Sequence, residues 1–207
     1  MSSSERYHHG DLPDALLDAV GRLIERDGVG AVSLRAVARD VGVSHAAPAH
    51  HFRDKRGMLT AFAARGYEAF SALLARTWRD SAGRSAPERL RRLTRAYVAF
   101  AAQQRAHYEI MFRPELIDHA ELAARLRTAD AFEVLRGAVA ANLPDGTCGE
   151  QVLKTALVAW CTVHGLVQLW FEGPLQHLGD GLSLDALQER ACDVLLAALA
   201  TGVPPRR

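Results

Sequence analysis

Residues 34–52 read LRAVARDVGVSHAAPAHHF, and this stretch decides the fold. Its first eight residues are mostly good helix formers, and the apolar ones recur at spacings of three and four, which predicts a short amphipathic helix over Leu34–Val41. Gly42 then supplies a residue that tolerates the left-handed backbone of a tight turn. A second short helix is predicted over His45–His51, with Val43 and Phe52 as core residues on either side. A helix, a glycine turn and a second helix together predict a helix-turn-helix.

A short helix with small outward side chains fits the major groove of DNA, and its N-terminal N–H groups favour phosphate. Ser33 and Ser44 are predicted to cap the two helices and to donate to phosphate, with Lys55 as a further phosphate contact. The predicted DNA-binding residues are Ser33, Ser44, His45, Ala46, Ala47, His50, His51 and Lys55. The alternative is an ordinary pair of short helices in a bundle.

The same helical periodicity extends outward in both directions, and no stretch alternates apolar and polar residues as a strand would. We therefore predict an all-α fold of about nine helices. An N-terminal three-helix domain, residues 1–56, binds DNA, and residues 57–207 form a helical domain for ligand sensing and dimerisation. The remaining helices are predicted over Leu12–Asp27, Lys55–Ser81, Pro87–Gln104, His107–Phe112, His119–Ala141, Gly149–Phe171 and Leu184–Ala200.

Composition sets limits on function without naming one. The 207 residues carry a net charge of +1, which neither indicates nor excludes sequence-specific DNA binding. The N-terminus lacks the apolar core of a signal peptide, and no uninterrupted apolar run reaches the roughly 18 residues of a membrane span. A cytoplasmic protein without a membrane partner is expected.

Three stretches carry a family resemblance: YHHGDL at residues 7–12, GVGAVSLRAVARDVGVSHAAPAHHFRDKRGML at 28–59, and WCTVHGL at 160–166. The first two resemble the DNA-binding domain of TetR/AcrR-family transcriptional regulators. The third resembles the subgroup whose C-terminal domain carries a tryptophan followed by His-Gly, here Trp160, His164 and Gly165. The resemblance implies a homodimer formed mainly by the last two helices and a ligand cavity in the C-terminal domain. It also implies a repressor that leaves its palindromic operator when an effector binds.

Two positions depart from the family pattern. Ala49 stands where the family usually has a tyrosine that contacts phosphate, so one backbone anchor is expected to be weaker. Pro48 stands where leucine is frequent, in the fourth position of the predicted helix, where it removes an early backbone hydrogen bond. These changes leave open an interaction adaptor that no longer reads DNA.

The predicted helix Gly149–Phe171 is apolar on two sides, which is typical of a helix buried against its own core and against a partner subunit. We predict a homodimer through this helix and the last one. His164 lies on an apolar stripe, either as a hydrogen-bonded core residue or as a ligand contact. The predicted ligand-binding residues are Tyr97, Phe100, Gln104, Tyr108, Met111, Phe112, Phe132, Trp160 and His164. The alternative is that these side chains only fill the hydrophobic core, as groups of this kind more often do.

The sequence gives little support for a redox, metal-binding or catalytic function. Cys148, Cys161 and Cys192 form no metal-binding or redox pair and are expected to be reduced and mostly buried. No metal and no cofactor is predicted, and the N-terminal histidines are assigned to the DNA face and to an arm, Arg6–His9, that reaches DNA. No catalytic fingerprint is present, so an all-α enzyme is the weaker alternative, and pairs such as His107 with Glu109 are interpreted as solvated helix charges.

Overall fold

The computed structural model describes residues 12–126, 131–178 and 181–201. These residues form ten α-helices and contain no β-strand, which confirms the all-α prediction. The helices are α1 Leu12–Asp27, α2 Leu34–Val41, α3 Ala47–Phe52, α4 Lys55–Asp80, α5 Ala86–Gln103, α6 Arg105–Met111, α7 His119–Arg125, α8 Ala131–Ala140, α9 Gly149–Phe171 and α10 Leu184–Thr201. The N-terminal arm, Arg6–His9, lies outside the described residues.

The chain forms two compact units, and the division between them falls within α4, after Glu68. The first unit contains the described part of residues 1–68 together with that of residues 104–128, and the second contains the rest. The division at residue 56 was predicted from function, and it remains a prediction.

The first unit is built around a single apolar core, to which α1, α2, α3, the first half of α4, α6 and α7 all contribute. Leu16, Val20, Val37 and Phe62 are fully buried in it. An ion pair also joins α1 to α2, because Arg22 Nη2 lies 2.7 Å from Asp40 Oδ2. The helix-turn-helix segment is therefore held by a core that also includes α6, which lies far away in the sequence.

In the second unit, polar contacts join α5 to α10 alongside the apolar packing. Gln188 is buried, and its side-chain amide donates to Thr94 Oγ1 at 2.8 Å. Nearby, Arg91 Nη1 lies 3.1 Å from Glu189 Oε2, and Arg91 Nη2 lies 2.8 Å from Asp193 Oδ1. These bonds fix the register between the two helices, since each polar side chain meets one defined partner.

The prediction of a single helix between residues 119 and 141 was wrong. The segment predicted as one helix over His119–Ala141 contains two, α7 and α8, because Leu126 leaves the helical region with φ −83° and ψ 51°. Leucine favours helix, so no local pattern marks this break. The start of α7 is set by Asp118, whose carboxylate accepts from the N–H groups of Ala120 and Glu121, both at 3.0 Å.

The expectation of mostly buried cysteines was also wrong, because only Cys192 is buried, whereas Cys148 and Cys161 are exposed. Both exposed thiols belong to α9 or its N-cap. By length and composition, α9 is the one described helix that could cross a membrane, although the sequence contains no uninterrupted apolar run of that length. Only 28% of its apolar window is buried within this chain. Much of its apolar surface is therefore uncovered.

Candidate functional site

The first helix of the helix-turn-helix has the predicted ends. Ser33 caps α2, and its hydroxyl oxygen accepts from the Ala36 N–H at 3.1 Å, a contact worth about 1 kcal/mol. Gly42 closes α2 in the left-handed conformation, with φ 77° and ψ 30°. The following N–H, that of Val43, donates to the Ala38 carbonyl at 3.0 Å. The glycine therefore turns the chain sharply towards α3, as predicted.

The second helix begins two residues later than predicted, at Ala47, and Ser44 does not cap it through its side chain. Pro48 is the physical reason. It has no N–H to donate to the Ser44 carbonyl, so a helix that began at His45 would lack one of its first bonds. In the observed helix Pro48 is the second residue, where that N–H would have no helical partner, and its ring is buried. His45 and Ala46 thus lie in the turn that precedes α3.

The junction between α3 and α4 is a tight, strained turn. Arg53 has φ 65°, the one positive φ among the described residues that are not glycine. Asp54 caps α4, because its Oδ1 accepts from the Gly57 N–H at 2.8 Å, and this bond holds the pKa of Asp54 below its ordinary value. A β-carbon at Gly57 would lie 2.3 Å from the carbonyl oxygen of Phe52. Only glycine permits this approach of α4 to the end of α3.

The residues predicted to bind DNA lie at the start of α2, before α3, on α3 and at the start of α4, and most are exposed. Ser33, Ser44, His45, Ala46, His50 and His51 are exposed, and Ala47 and Lys55 are half-buried. Lys55 Nζ lies 3.5 Å from the Val29 carbonyl oxygen, at the long limit of a hydrogen bond. Ala49 is exposed as well, so a tyrosine at that position would reach solvent. Most of the predicted residues are therefore accessible, as DNA contact requires.

Sequence reasoning missed two arginines on α2. Arg35 and Arg39 are one helical turn apart and exposed, and neither forms an ion pair with the part of the chain that the structure describes. Their spacing of four places both on one face of α2, away from the buried Val37 and Ala38. The signal was present in LRAVAR, where two arginines four residues apart flank three small or apolar residues, which are buried.

Part of the predicted ligand site is brought together in the second unit. The Tyr97 hydroxyl and His164 Nδ1 are 2.8 Å apart, and burial lowers the pKa of His164. The ring of Trp160 lies 6.2 Å from that of His164 and 6.0 Å from that of Phe132. Phe100 belongs to the same unit, where it contacts Phe70. This aromatic cluster with one polar pair is common both to ligand sites and to satisfied cores.

The other predicted ligand residues belong to the first unit. Tyr108 and Met111 are buried, Phe112 is half-buried with its ring 5.0 Å from that of Tyr108, and Gln104 is exposed at the N-cap of α6. No group of three or more histidine, cysteine or carboxylate side chains in the described ranges is placed to hold a metal ion.

His107 was interpreted as a solvated helix residue, and this was wrong. Its ring is stacked on Phe62, with the centroids 4.0 Å apart. Glu109, its supposed catalytic partner, is instead paired with Arg113, with Oε1 and Nη2 2.8 Å apart. The two side chains therefore do not form the pair that an enzyme would need.

Two models of known protein families match the chain. The family model for bacterial regulatory proteins of the tetR family matches residues 16–62, and the model for the tetracyclin repressor-like C-terminal domain matches residues 90–195. The chain belongs to the TetR family. As a TetR-family member it is a transcriptional regulator with a helix-turn-helix DNA-binding domain, not an enzyme.

Solved structures agree with this assignment. A protein of unknown function from a Rhodococcus species is 32% identical, with a TM-score of 0.76 over 95% of this chain and 100% of that one. The TetR-family regulator PfmR from Thermus thermophilus is 19% identical, with a TM-score of 0.64 over 89% and 98%. The fatty acid degradation regulator FadR from Bacillus halodurans is 16% identical, with a TM-score of 0.69 over 92% and 97%. The last two share the fold. No curated protein sequence matches the chain.

This TetR-family chain also carries an apolar surface on its last two helices. On α9, Leu157, Val158 and Leu169 are 40%, 60% and 46% exposed, and on α10 Val194 is 56% exposed. We call these four residues, with Leu153 and Cys161, the α9–α10 apolar face. Trp160 and His164 follow Leu153 and Leu157 at helical spacing on α9, but the structure half-buries both of them. The exposed face turns from that stripe towards Val158.

Proposed function

We propose that this chain is a ligand-responsive repressor that binds a palindromic DNA operator as a homodimer in the cytoplasm, and that it belongs to the Trp…His-Gly subgroup. The observation that carries the DNA-binding part is the exposure of the predicted reading residues beside a buried Pro48 and Phe52. The subgroup rests on Trp160, His164 and Gly165 in WCTVHGL.

We assign base reading to the turn before α3 and to the first residue of that helix. Ala46 and Ala47 present methyl groups that suit thymine, and His45 presents a ring that can hydrogen-bond a base edge. Ser33, Ser44, His50, His51 and Lys55 are assigned to the DNA backbone, and we add Arg35 and Arg39 to that set. An exposed guanidinium without an ion-pair partner among the described residues is well suited to phosphate.

The assignment of α2 predicts a specific salt dependence. Arg39→Ala and Arg35→Ala are each expected to weaken operator binding several-fold without changing the preferred sequence, because phosphate contacts position the protein and carry no sequence information. Each is also expected to reduce the slope of log affinity against log salt concentration by about one. Fluorescence anisotropy at several salt concentrations measures both. Arg76→Ala, on α4, is the matched control, and an equal loss in that variant would contradict the assignment.

The homodimer is proposed through the α9–α10 apolar face. An exposed apolar surface on two long neighbouring helices is unusual for a monomer, and a second copy of the same face covers it by twofold symmetry. A twofold dimer also presents two α3 helices to successive major grooves, which matches a palindromic operator.

The thiols supply a test of this face without any mutation. Cys161 lies on the α9–α10 apolar face, Cys148 is exposed at the N-cap of α9, and Cys192 is buried. In the native protein a maleimide is expected to label Cys148 rapidly and Cys161 at least about tenfold more slowly, because subunit contact excludes the reagent. Mass spectrometry of the digested protein gives both rates. Equal labelling of the two cysteines in a protein that sediments as a dimer would place the interface elsewhere.

The effector site is proposed around Tyr97, His164, Trp160 and Phe132 in the second unit, with Phe100 nearby. The hydrogen-bonded Tyr97–His164 pair supplies a polar contact among aromatic rings, which is typical of small-molecule sites. Gln104, Tyr108, Met111 and Phe112, which belong to the first unit, stay predictions from the sequence and are not assigned to this site. Effector binding would favour a conformation whose two α3 helices no longer match the operator spacing, with α4 as the link. A ligand screen that compares tryptophan fluorescence of wild type and Trp160→Phe tests this site.

A further inference from the structure

His107 is placed where three helices of the DNA-binding unit meet. It lies on α6, its ring is stacked on Phe62 of α4, and α6 also packs against α1. The imidazole is half-buried between them. None of the DNA-binding or effector residues assigned above uses this side chain, so its position calls for a separate explanation.

Arg65 connects all three helices at this point. From α4, its Nε donates to His107 Nε2 on α6 at 3.4 Å. Its Nη1 lies 2.8 Å from Asp18 Oδ1 and 3.5 Å from the Asp14 carbonyl oxygen, both on α1. The bond to His107 requires an unprotonated Nε2, because a protonated one has no lone pair to accept with.

The helices α4 and α6 cross closely beside His107. A β-carbon at Gly66 would lie 3.0 Å from His107 Cβ and 2.8 Å from Met111 Sδ. Next to it on α4, the Tyr67 hydroxyl donates to the Met111 carbonyl at 2.7 Å. A charge gained by His107 would therefore lie within a close helix crossing.

The charges that face His107 have unequal effects. Arg65 on α4 opposes a second positive charge, whereas Asp18 on α1 favours it but is 59% exposed and therefore screened. On α6 itself, Glu109 is engaged with Arg113. Burial, together with Arg65, lowers the pKa of His107 to about 4 from its ordinary 6.5. The neutral ring is the form that fits the packed helices.

We propose that His107 is a proton-sensitive clamp that holds α6 against α1 and α4 while neutral, and that acidification releases α6 and so weakens operator binding. The effect on operator binding rests on the DNA-binding function proposed above. The core that positions α2 and α3 includes Ala106 and Ile110 of α6, so releasing α6 uncovers the apolar residues that support the reading helices.

The sign of the pH dependence follows from linkage. The unpacked form binds the extra proton more readily, so packing is fully favoured above about pH 6.5 and is progressively lost as the pH falls towards 4. Between about pH 7.5 and 5.5, the ratio of unpacked to packed form is expected to rise by up to about tenfold.

The test compares wild type with His107→Phe, which retains an aromatic ring against Phe62 but cannot be protonated. Hydrogen exchange of α6 amides, corrected for the intrinsic rate, is measured without DNA at both pH values. The affinity for DNA is measured by anisotropy under the same conditions, with the duplex that wild type binds most tightly after selection from a random library. We expect up to about a tenfold greater loss of α6 protection and of affinity in wild type than in the variant on acidification. The histidines near α3 are common to both proteins and cancel.

The outcomes are separable. Equal pH dependence of α6 protection in the two proteins would overturn the clamp, whatever DNA does. The expected α6 behaviour in a protein that binds no duplex would leave the clamp standing and contradict the proposed DNA-binding function. If His107→Phe does not fold, Arg65→Gln replaces it. Without the Arg65 charge the pKa of packed His107 moves closer to its ordinary value, so the loss of α6 protection on acidification should be smaller than in wild type, and an unchanged profile would overturn the proposal.

Discussion

Gly57→Ala is expected to lose operator binding and to lower the free energy of unfolding by at least about 2 kcal/mol. The new β-carbon would lie 2.3 Å from the carbonyl oxygen of Phe52, and that carbonyl is backbone that cannot rotate away. The same carbonyl accepts from the Asp54 N–H at 2.7 Å, and Asp54 in turn caps α4 at the Gly57 N–H. One methyl group therefore disturbs the end of α3, the turn and the cap together. Urea denaturation and anisotropy measure the two losses.

Gly137→Ala is the matched control for this substitution. Gly137 lies inside α8, and a β-carbon there meets no atom within 4 Å. Alanine is expected to stabilise the protein by about 0.5–1 kcal/mol, because it favours helix more than glycine does. If Gly57→Ala were as stable as wild type and bound the operator normally, the close approach of α3 and α4 would not be needed.

Val158→Asp is expected to convert the protein to a monomer. Val158 is 60% exposed in the single chain and lies on the α9–α10 apolar face, so twofold symmetry would bury two uncompensated carboxylates in the dimer. A buried charge without a partner costs about 3–5 kcal/mol, which weakens dimerisation by at least about a hundredfold. Operator affinity should fall with it, because a monomer contacts only one half-site. Sedimentation velocity and anisotropy measure the two effects.

Ala72→Glu controls for the added charge, since it places a carboxylate at an exposed position on α4, outside the α9–α10 apolar face. It should remain dimeric and bind normally. A Val158→Asp protein that stays dimeric at low micromolar concentration would show that the subunits meet through another surface. Val158 packs little against the core of its own chain, so the monomeric variant is expected to stay folded. An unchanged circular dichroism spectrum would confirm this.

The sequence predicted those parts of the fold that depend on neighbours along the chain. Ser33 as a cap, Gly42 as a left-handed turn and the ends of α1 and α2 all follow from local rules, and all are present. The start of α3 was missed, although Pro48 provided the signal. A proline is easier to place second in a helix than fourth, and weighing that preference over the cap preference of Ser44 would have pointed to Ala47.

The remaining errors depend on contacts that no local pattern encodes. His107 is half-buried because Phe62 and Arg65, more than forty residues earlier, lie opposite it. Cys161 is exposed because the core uses a different face of α9, and an apolar sequence stripe does not tell which face meets the core of its own chain. The family resemblance predicted the function, and it was carried by YHHGDL and by the segment from Gly28 to Leu59, whereas the subgroup indicated by WCTVHGL stays a prediction.

Selection of binding sites from a random duplex library, using the purified full chain, tests the central claim most directly. We predict a palindromic site whose two halves are centred about one helical turn, or a multiple of it, apart, with affinity that falls steeply as salt rises. A folded, dimeric protein that enriches no sequence, with or without added ligands, would contradict this claim. In that case Pro48 and Ala49 would mark a helix-turn-helix that has lost DNA reading and serves as an interaction adaptor.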